Sequence, residues 1–263
     1  MMSPMASIST ARGRIGYLQS GSGSELPIVF LHGVGSDKSV WRPQLEHFGQ
    51  VRRAVAFDYL GYGESDFMEG ASRDDLAAAI LAAMDSLHIT RAHICGLSLG
   101  GVIAIAMQAT APRHCASLII ADSFALHPDG QAIHDRSVAA SWSMTMRALA
   151  EARSGLLLGS AATDELRAEV IETMAAIDPA AYRVGAEAVW LADQRDRAAK
   201  INVPTLILVG EEDQITPPAL SEELAKLIAG SRLERIPKAG HLTNAEQPQA
   251  FNAAIESFLA QLG

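Results

Sequence analysis

Three short stretches of the chain hold residue types that could perform nucleophilic chemistry together. Gly96-Leu97-Ser98-Leu99-Gly100-Gly101 sets a serine among glycines, Gly210-Glu211-Glu212-Asp213 ends in an acid, and Ala239-Gly240-His241-Leu242 presents a histidine. A serine hydroxyl attacks a carbonyl only when a base takes its proton, and a histidine base needs an acceptor for its other ring N–H. Ser98, His241 and Asp213 fit those roles, in the chain order serine, acid, histidine. Leu99 follows the serine and would open a helix, so its backbone N–H would point at an oxyanion forming beside Ser98. A second donor is expected in His32-Gly33-Val34-Gly35, at the Val34 N–H. His32 itself reads as a residue that pins this loop by hydrogen bonds. Asp122 is a rival acid, Asp213 being favoured, and Glu211 and Glu212 read as solvated loop charges.

Strands must end where these residues stand. Pro27–Leu31, Ala54–Phe57, Ala92–Cys95, Ser117–Ala121 and Thr205–Val209 are apolar runs, and Arg232–Ile236 is a more polar one. Continuous apolar runs with helical patterns between them indicate parallel strands covered on both faces. Ser7–Ala11 and Arg14–Gln19 suit an edge hairpin, and Ser20–Ser24 reads as a turn. Ser72–Leu87 repeats apolar residues at helical spacing behind a Ser72 cap, Gly101–Thr110 is a helix stopped before Pro112, and Pro248–Leu262 closes the chain as a helix. The expected fold is therefore α/β, a mostly parallel, doubly wound sheet. The alternation fails over residues 124–200, where Ala132–Arg153, Asp164–Ile177 and Ala180–Asp196 look helical and no strand intervenes. We expect a core formed by residues 1–123 and 201–263, with 124–200 as a helical cap over the carboxyl edge of the sheet, where ligands of such sheets bind.

Composition excludes more than it selects. A net charge of −9 and a pI near 5.3 give no reason to expect nucleic acid or an anionic membrane as partner. Two cysteines, Cys95 and Cys115, make no disulfide framework, and Cys95 lies within an apolar run. The N-terminal residues lack the apolar core of a signal peptide and no segment reaches membrane-spanning length, so a cytoplasmic protein is expected. No paired-cysteine or His-Glu-x-x-His spacing calls for a metal, and no phosphate-binding glycine loop calls for a nucleotide. The expected partner is a small-molecule substrate with no cofactor, and a homo-oligomer is left open.

Over nearly its whole length the sequence resembles the α/β-hydrolase superfamily. The resemblance lies in His32-Gly33-Val34-Gly35, Asp58-x-x-Gly61-x-Gly63-x-Ser65, Gly96-Leu97-Ser98-Leu99-Gly100-Gly101, Pro204–Asp213 and Gly240-His241. Leu60 departs from it, since the family usually has arginine there, and altered packing without altered chemistry is expected. The tail Ala239–Pro248 with Phe251-Asn252, and the run Asp213-x-x-Thr216-Pro217-Pro218, resemble the 3-oxoadipate enol-lactonase group and related small carboxylesterases. That resemblance implies hydrolysis of an ester or lactone of a small substrate, a carboxylated one among the options, through an acyl-enzyme. The alternatives are a C–C bond hydrolase acting on a meta-cleavage diketone and, from a different class, a ligand-binding protein without catalysis. Substrate contacts are expected from the cap, at Trp142, Arg147, Arg183 and Trp190. Taken singly, each tryptophan there reads as cap core and each arginine as a solvated helix residue. His127 and His134 read as surface residues.

Overall fold

Residues 6–262 are described by a computed structural model, in which one seven-stranded sheet carries the molecule. At one edge β1 (Ala6–Thr10) pairs antiparallel with the start of β2 (Gly13–Leu31). The turn expected at Ser20–Ser24 is a bend inside β2 instead of a break. Tyr17–Ser20 faces Phe57–Ala54, then Ile28–Leu31 faces Ala54–Phe57 in the parallel sense, so β3 (Arg52–Phe57) lies between two arms of one strand. Gly21 makes the bend feasible: its φ is 74°, and a Cβ there would strike the Gly49 carbonyl. From the second arm of β2 the sheet continues in parallel through β4 (Ala92–Leu97), β5 (Cys115–Ala121), β6 (Thr205–Gly210) and β7 (Arg232–Ile236).

Successive strand residues serve opposite faces, as the pleat requires. Val29, Leu31, Ile94 and Ile120 pack against α2 (Arg73–Ser86) and α3 (Leu99–Thr110), while Ile28, Phe30, Cys95 and Ile119 pack against α1 (Arg42–Phe48) and the C-terminal helix. Two-sided burial is why these strands read as unbroken apolar runs. The start of α2 is fixed by a capping box, with Ser72 Oγ accepting from the Asp75 N–H and the Asp75 carboxylate accepting from the Ser72 N–H.

Between β5 and β6 the chain leaves the sheet and forms α4 (Gly130–Ser143), α5 (Met146–Leu157), α6 (Asp164–Ala175), α7 (Pro179–Trp190) and the short α8 (Arg195–Ala198). The stretch expected as one helix over Ala132–Arg153 is two. Thr145 breaks it by capping α5, its hydroxyl accepting from the Ala148 N–H at 3.2 Å. The ends of the insertion are tied together by a Leu126–Asp193 bridge and by the Gln194 N–H on the Ala125 carbonyl at 2.7 Å. The chain closes with α9 (Pro218–Leu227), α10 (Thr243–Glu246) and α11 (Pro248–Leu259), the helix named above as C-terminal. Among the described residues no helix is long and apolar enough to cross a membrane.

Candidate active site

β4 ends at Leu97 and α3 begins at Leu99, which leaves Ser98 to make the whole turn. Its φ of 54° and ψ of −113° lie where L-residues are strained, at a typical cost of about 1–3 kcal/mol. Glycines make so sharp a turn sterically open. A Cβ on Gly96 would strike the Gly100 carbonyl, and one on Gly100 the Leu31 carbonyl. The turn is held from β5: the Ser98 N–H donates to the Ala121 carbonyl at 2.9 Å, and Ser123 Oγ donates to the Ser98 carbonyl at 2.8 Å. Ser98 Oγ is buried without a hydrogen-bond partner and lines a cavity of about 270 Å³.

His241 lines the same cavity from the loop after β7. Its Nδ1–H donates to Asp213 Oδ2 at 2.9 Å, which leaves Nε2 as the basic nitrogen. Asp213, past the end of β6, is held on every side: its Oδ1 accepts from the Ile215 and Thr216 N–H groups at 2.8 and 2.9 Å, and Thr216 Oγ1 donates to Oδ2 at 2.6 Å. Burial alone would raise the pKa of this carboxyl. The charge of His241, with the hydrogen bonds from His241 and Thr216, outweighs that and holds it below the ordinary value, so the group stays ionised. Ser98 Oγ and His241 share the cavity without a hydrogen bond between them; such contacts tighten when substrate binds.

The loop after β2 forms the opposite wall with Gly33, Val34 and Gly35. Neither the Val34 nor the Leu99 N–H has an acceptor among the described residues; Val34 lines the cavity, and Leu99 opens α3 directly after Ser98. His32 is fully buried and its Nδ1–H donates to the Gly33 carbonyl at 2.8 Å, pinning the loop as its position suggested. Asp58 clamps the far end, accepting from the Lys38 N–H at 2.8 Å and from Lys38 Nζ at 2.5 Å, with Glu64 on the same ammonium. Leu60 is buried in the core beside this cluster, and Lys38 brings the cation to it.

Asp122 does not touch His241. Fully buried, it accepts from the Gly210 N–H at 2.8 Å through Oδ1 and from Thr243 Oγ1 through Oδ2. It therefore links the loop of Asp213 to the loop of His241. Burial, and next the nearby charge of Asp213, push its pKa well above the usual carboxylate range. Three supports were missed by sequence reasoning. Thr216 steadies the acid as described. Glu246 accepts from the Gly240 and Leu242 N–H groups on either side of His241, at 3.0 and 3.1 Å, and from the Gly159 N–H of the insertion at 2.6 Å. Glu212, expected to be a solvated charge, accepts from the Ser160 N–H and hydroxyl at 2.6 and 2.8 Å. A polar residue one to five positions from Asp213 or His241 was the only sequence signal for them.

The four cap residues expected to contact substrate do not line the cavity. Trp142 is 72% exposed, with the Arg183 guanidinium stacked 3.8 Å from its ring centroid. Arg147 is taken by Glu172 in two hydrogen bonds of 2.7 Å. Trp190 is core, stacked on Phe124, and His127 is buried against both rings instead of at the surface. The cap instead supplies Leu157 of α5 and one face of α6, Leu166, Glu169, Val170 and Thr173, at spacings of three, four and seven residues. The remaining cation at the cavity is Arg42, from the core. Among the described residues no group of three or more His, Cys, Asp or Glu is placed to hold a metal ion.

A parallel sheet with a serine at a strained strand-to-helix turn, and a histidine and an acid ending later strands, defines a hydrolase architecture. The chain belongs to the α/β-hydrolase fold family, whose model matches residues 27–248. It is 30% identical to 3-oxoadipate enol-lactonase 1 of Acinetobacter baylyi over 237 residues, 89% of each chain. Among solved structures it is similar to the enol-lactonase from Burkholderia xenovorans LB400, at a TM-score of 0.91 and 27% identity over 97% of this chain and all of that one. It is also similar to a thermophilic esterase from Thermogutta terrifontis, at 0.89 and 26% over 99% of each chain.

Proposed function

We propose that this chain hydrolyses an ester or lactone bond of a small substrate through an acyl-enzyme on Ser98. The observation that carries the reading is convergence on one cavity: the unpartnered Ser98 hydroxyl, the Asp213-oriented His241 and Val34 with its free N–H, with the free Leu99 N–H at the helix start next to Ser98. His241 Nε2 takes the Ser98 proton as Oγ attacks the carbonyl, and the two N–H groups hold the tetrahedral oxyanion. His241 then protonates the departing alkoxide. Water, deprotonated by the same nitrogen, releases the acid and regenerates Ser98. Asp213 stays ionised throughout and stabilises the imidazolium. The strain at Ser98 keeps the hydroxyl clear of its own backbone and facing the cavity.

A volume of about 270 Å³ lies at the small end of ligand pockets, which favours a compact substrate. Similarity to enol-lactonases and small esterases supports the same bond type, and makes the enol-lactone named in those relatives the first compound to try. Ser98→Ala is expected to abolish p-nitrophenyl acetate hydrolysis and labelling by a fluorophosphonate. Hydrolysis by that variant at the wild-type rate would refute the assignment. Parallel assays of enol-lactones, simple esters and ring-fission diketones select the bond, and turnover of the diketone alone would overturn the ester or lactone reading.

A further inference from the structure

The cavity wall is apolar or neutral apart from His241 and two fixed charges, Arg42 on the core side and Glu169 on the cap side. Both side chains are exposed, which puts them at the rim. Neither makes an ion pair or a side-chain hydrogen bond among the described residues, whereas Arg147, the cap arginine expected at the site, is taken by Glu172. An unpaired guanidinium at the edge of an apolar cavity is a carboxylate receptor, because it offers a forked set of donors that a carboxylate accepts. An unpaired carboxylate on the other wall repels a second negative charge.

We propose that Arg42 and Glu169 together select substrates with one negative charge, Arg42 binding the substrate carboxylate and Glu169 excluding a dianion. The proposal rests on the hydrolase reading of the cavity. It also assigns Glu169 a part in turnover. Hydrolysis consumes one water and yields an alcohol, a carboxylate and a proton, so a monoanionic acyl ester becomes a dianionic acid. The charge that appears at Ser98 is the one Glu169 disfavours, so the product leaves while the substrate is retained.

The test compares mono-p-nitrophenyl glutarate, which carries one carboxylate, with neutral p-nitrophenyl butyrate. Arg42→Gln is expected to lower the ratio of kcat/KM for the charged over the neutral ester by about five-fold, chiefly through KM. Glu169→Gln is expected to raise that ratio and to tighten product inhibition by glutarate, each by about two- to three-fold. Ratios within two-fold of wild type in both variants, or shifts in the same direction, would overturn the proposal. A second arm needs no turnover: calorimetric binding of monomethyl glutarate to Ser98→Ala, with and without Arg42→Gln. Binding that does not depend on Arg42 overturns the anion site even if ester hydrolysis stands. Binding that depends on Arg42 in a protein that hydrolyses no ester upholds the anion site and removes the hydrolase reading.

Discussion

Replacing Asp122 with alanine removes two hydrogen-bond acceptors at once, one for each loop that carries a site residue. The Gly210 N–H and the Thr243 hydroxyl would then be buried donors without partners. Each such group costs about 1–3 kcal/mol, and loss of the buried acid returns part of that, so we expect a net destabilisation of about 2–4 kcal/mol. Asp122→Asn separates bracing from charge, since its amide oxygen can accept from the Gly210 N–H while its amide N–H donates to Thr243 Oγ1. The raised pKa of Asp122 sets the sign of the pH effect. A carboxyl that stays protonated when folded but ionises when unfolded stabilises below its unfolded value, and that contribution is lost as pH rises toward the folded value. Asparagine has no proton to lose. Relative to wild type, Asp122→Asn should therefore gain stability with rising pH, by up to about 1.4 kcal/mol per unit above the unfolded value. Urea unfolding at pH 4, 5, 6, 7 and 8 measures both effects. Turnover per fluorophosphonate-titrated Ser98 should fall by about ten-fold or more in Asp122→Ala and hold in Asp122→Asn, because a loop misplaced by about 1 Å can cost that much. A pH-independent difference between asparagine and wild type, or an alanine variant as stable and active as the asparagine one, would refute the reasoning.

Two other perturbations follow from the same structure. His32 and His93 are each pushed down to about 4, first by burial and for His93 next by Arg52 and Arg91. Each therefore contributes stability above pH 6.5 that is lost as pH falls toward 4, about 3 kcal/mol apiece; His93→Gln should remove its share from unfolding free energies measured at pH 7.5 and 4.5, and an unchanged difference would count against it. Ser98→Gly should relieve the strain at φ 54° and come out about 1 kcal/mol more stable than Ser98→Ala by thermal unfolding, both being inactive, and equal stabilities would mean that the turn stores no strain.

The core could be read from sequence because its constraints are local. A strand buried on both faces must be an unbroken apolar run, as Ile28–Leu31 and Ala92–Cys95 are, and a strand-to-helix turn of one residue needs glycine where Gly96 and Gly100 stand. Ser98 follows such a strand directly, and Asp213 and His241 stand in the loops after β6 and the more polar β7, so strand order and chain order brought them to one edge. The bend in β2 was harder to read. Ser20–Ser24 has turn composition, and only the pairing of both Ser24 and Glu25 with Arg52 keeps the segment in the sheet.

The cap resisted for a different reason, which also explains why the cavity's cation comes from elsewhere. An amphipathic helix announces that it has a buried face, but sequence cannot say whether a charged residue near that face meets a partner, solvent or a cavity. Arg147 and Arg183 were plausible substrate contacts until α5 met α6, where Glu172 engages Arg147, and α7 met α4, where Trp142 covers Arg183. Those partners lie 25 and 41 residues away in the chain, so no local pattern reveals them. Arg42 is different. It stands one residue past Trp41, which is fixed in the core by stacking on Phe30 at 4.9 Å, so its backbone belongs to the rigid layer that also holds Ser98. A charge rooted there is fixed by the same layer as the nucleophile, whereas Glu169 stands on α6 of the insertion.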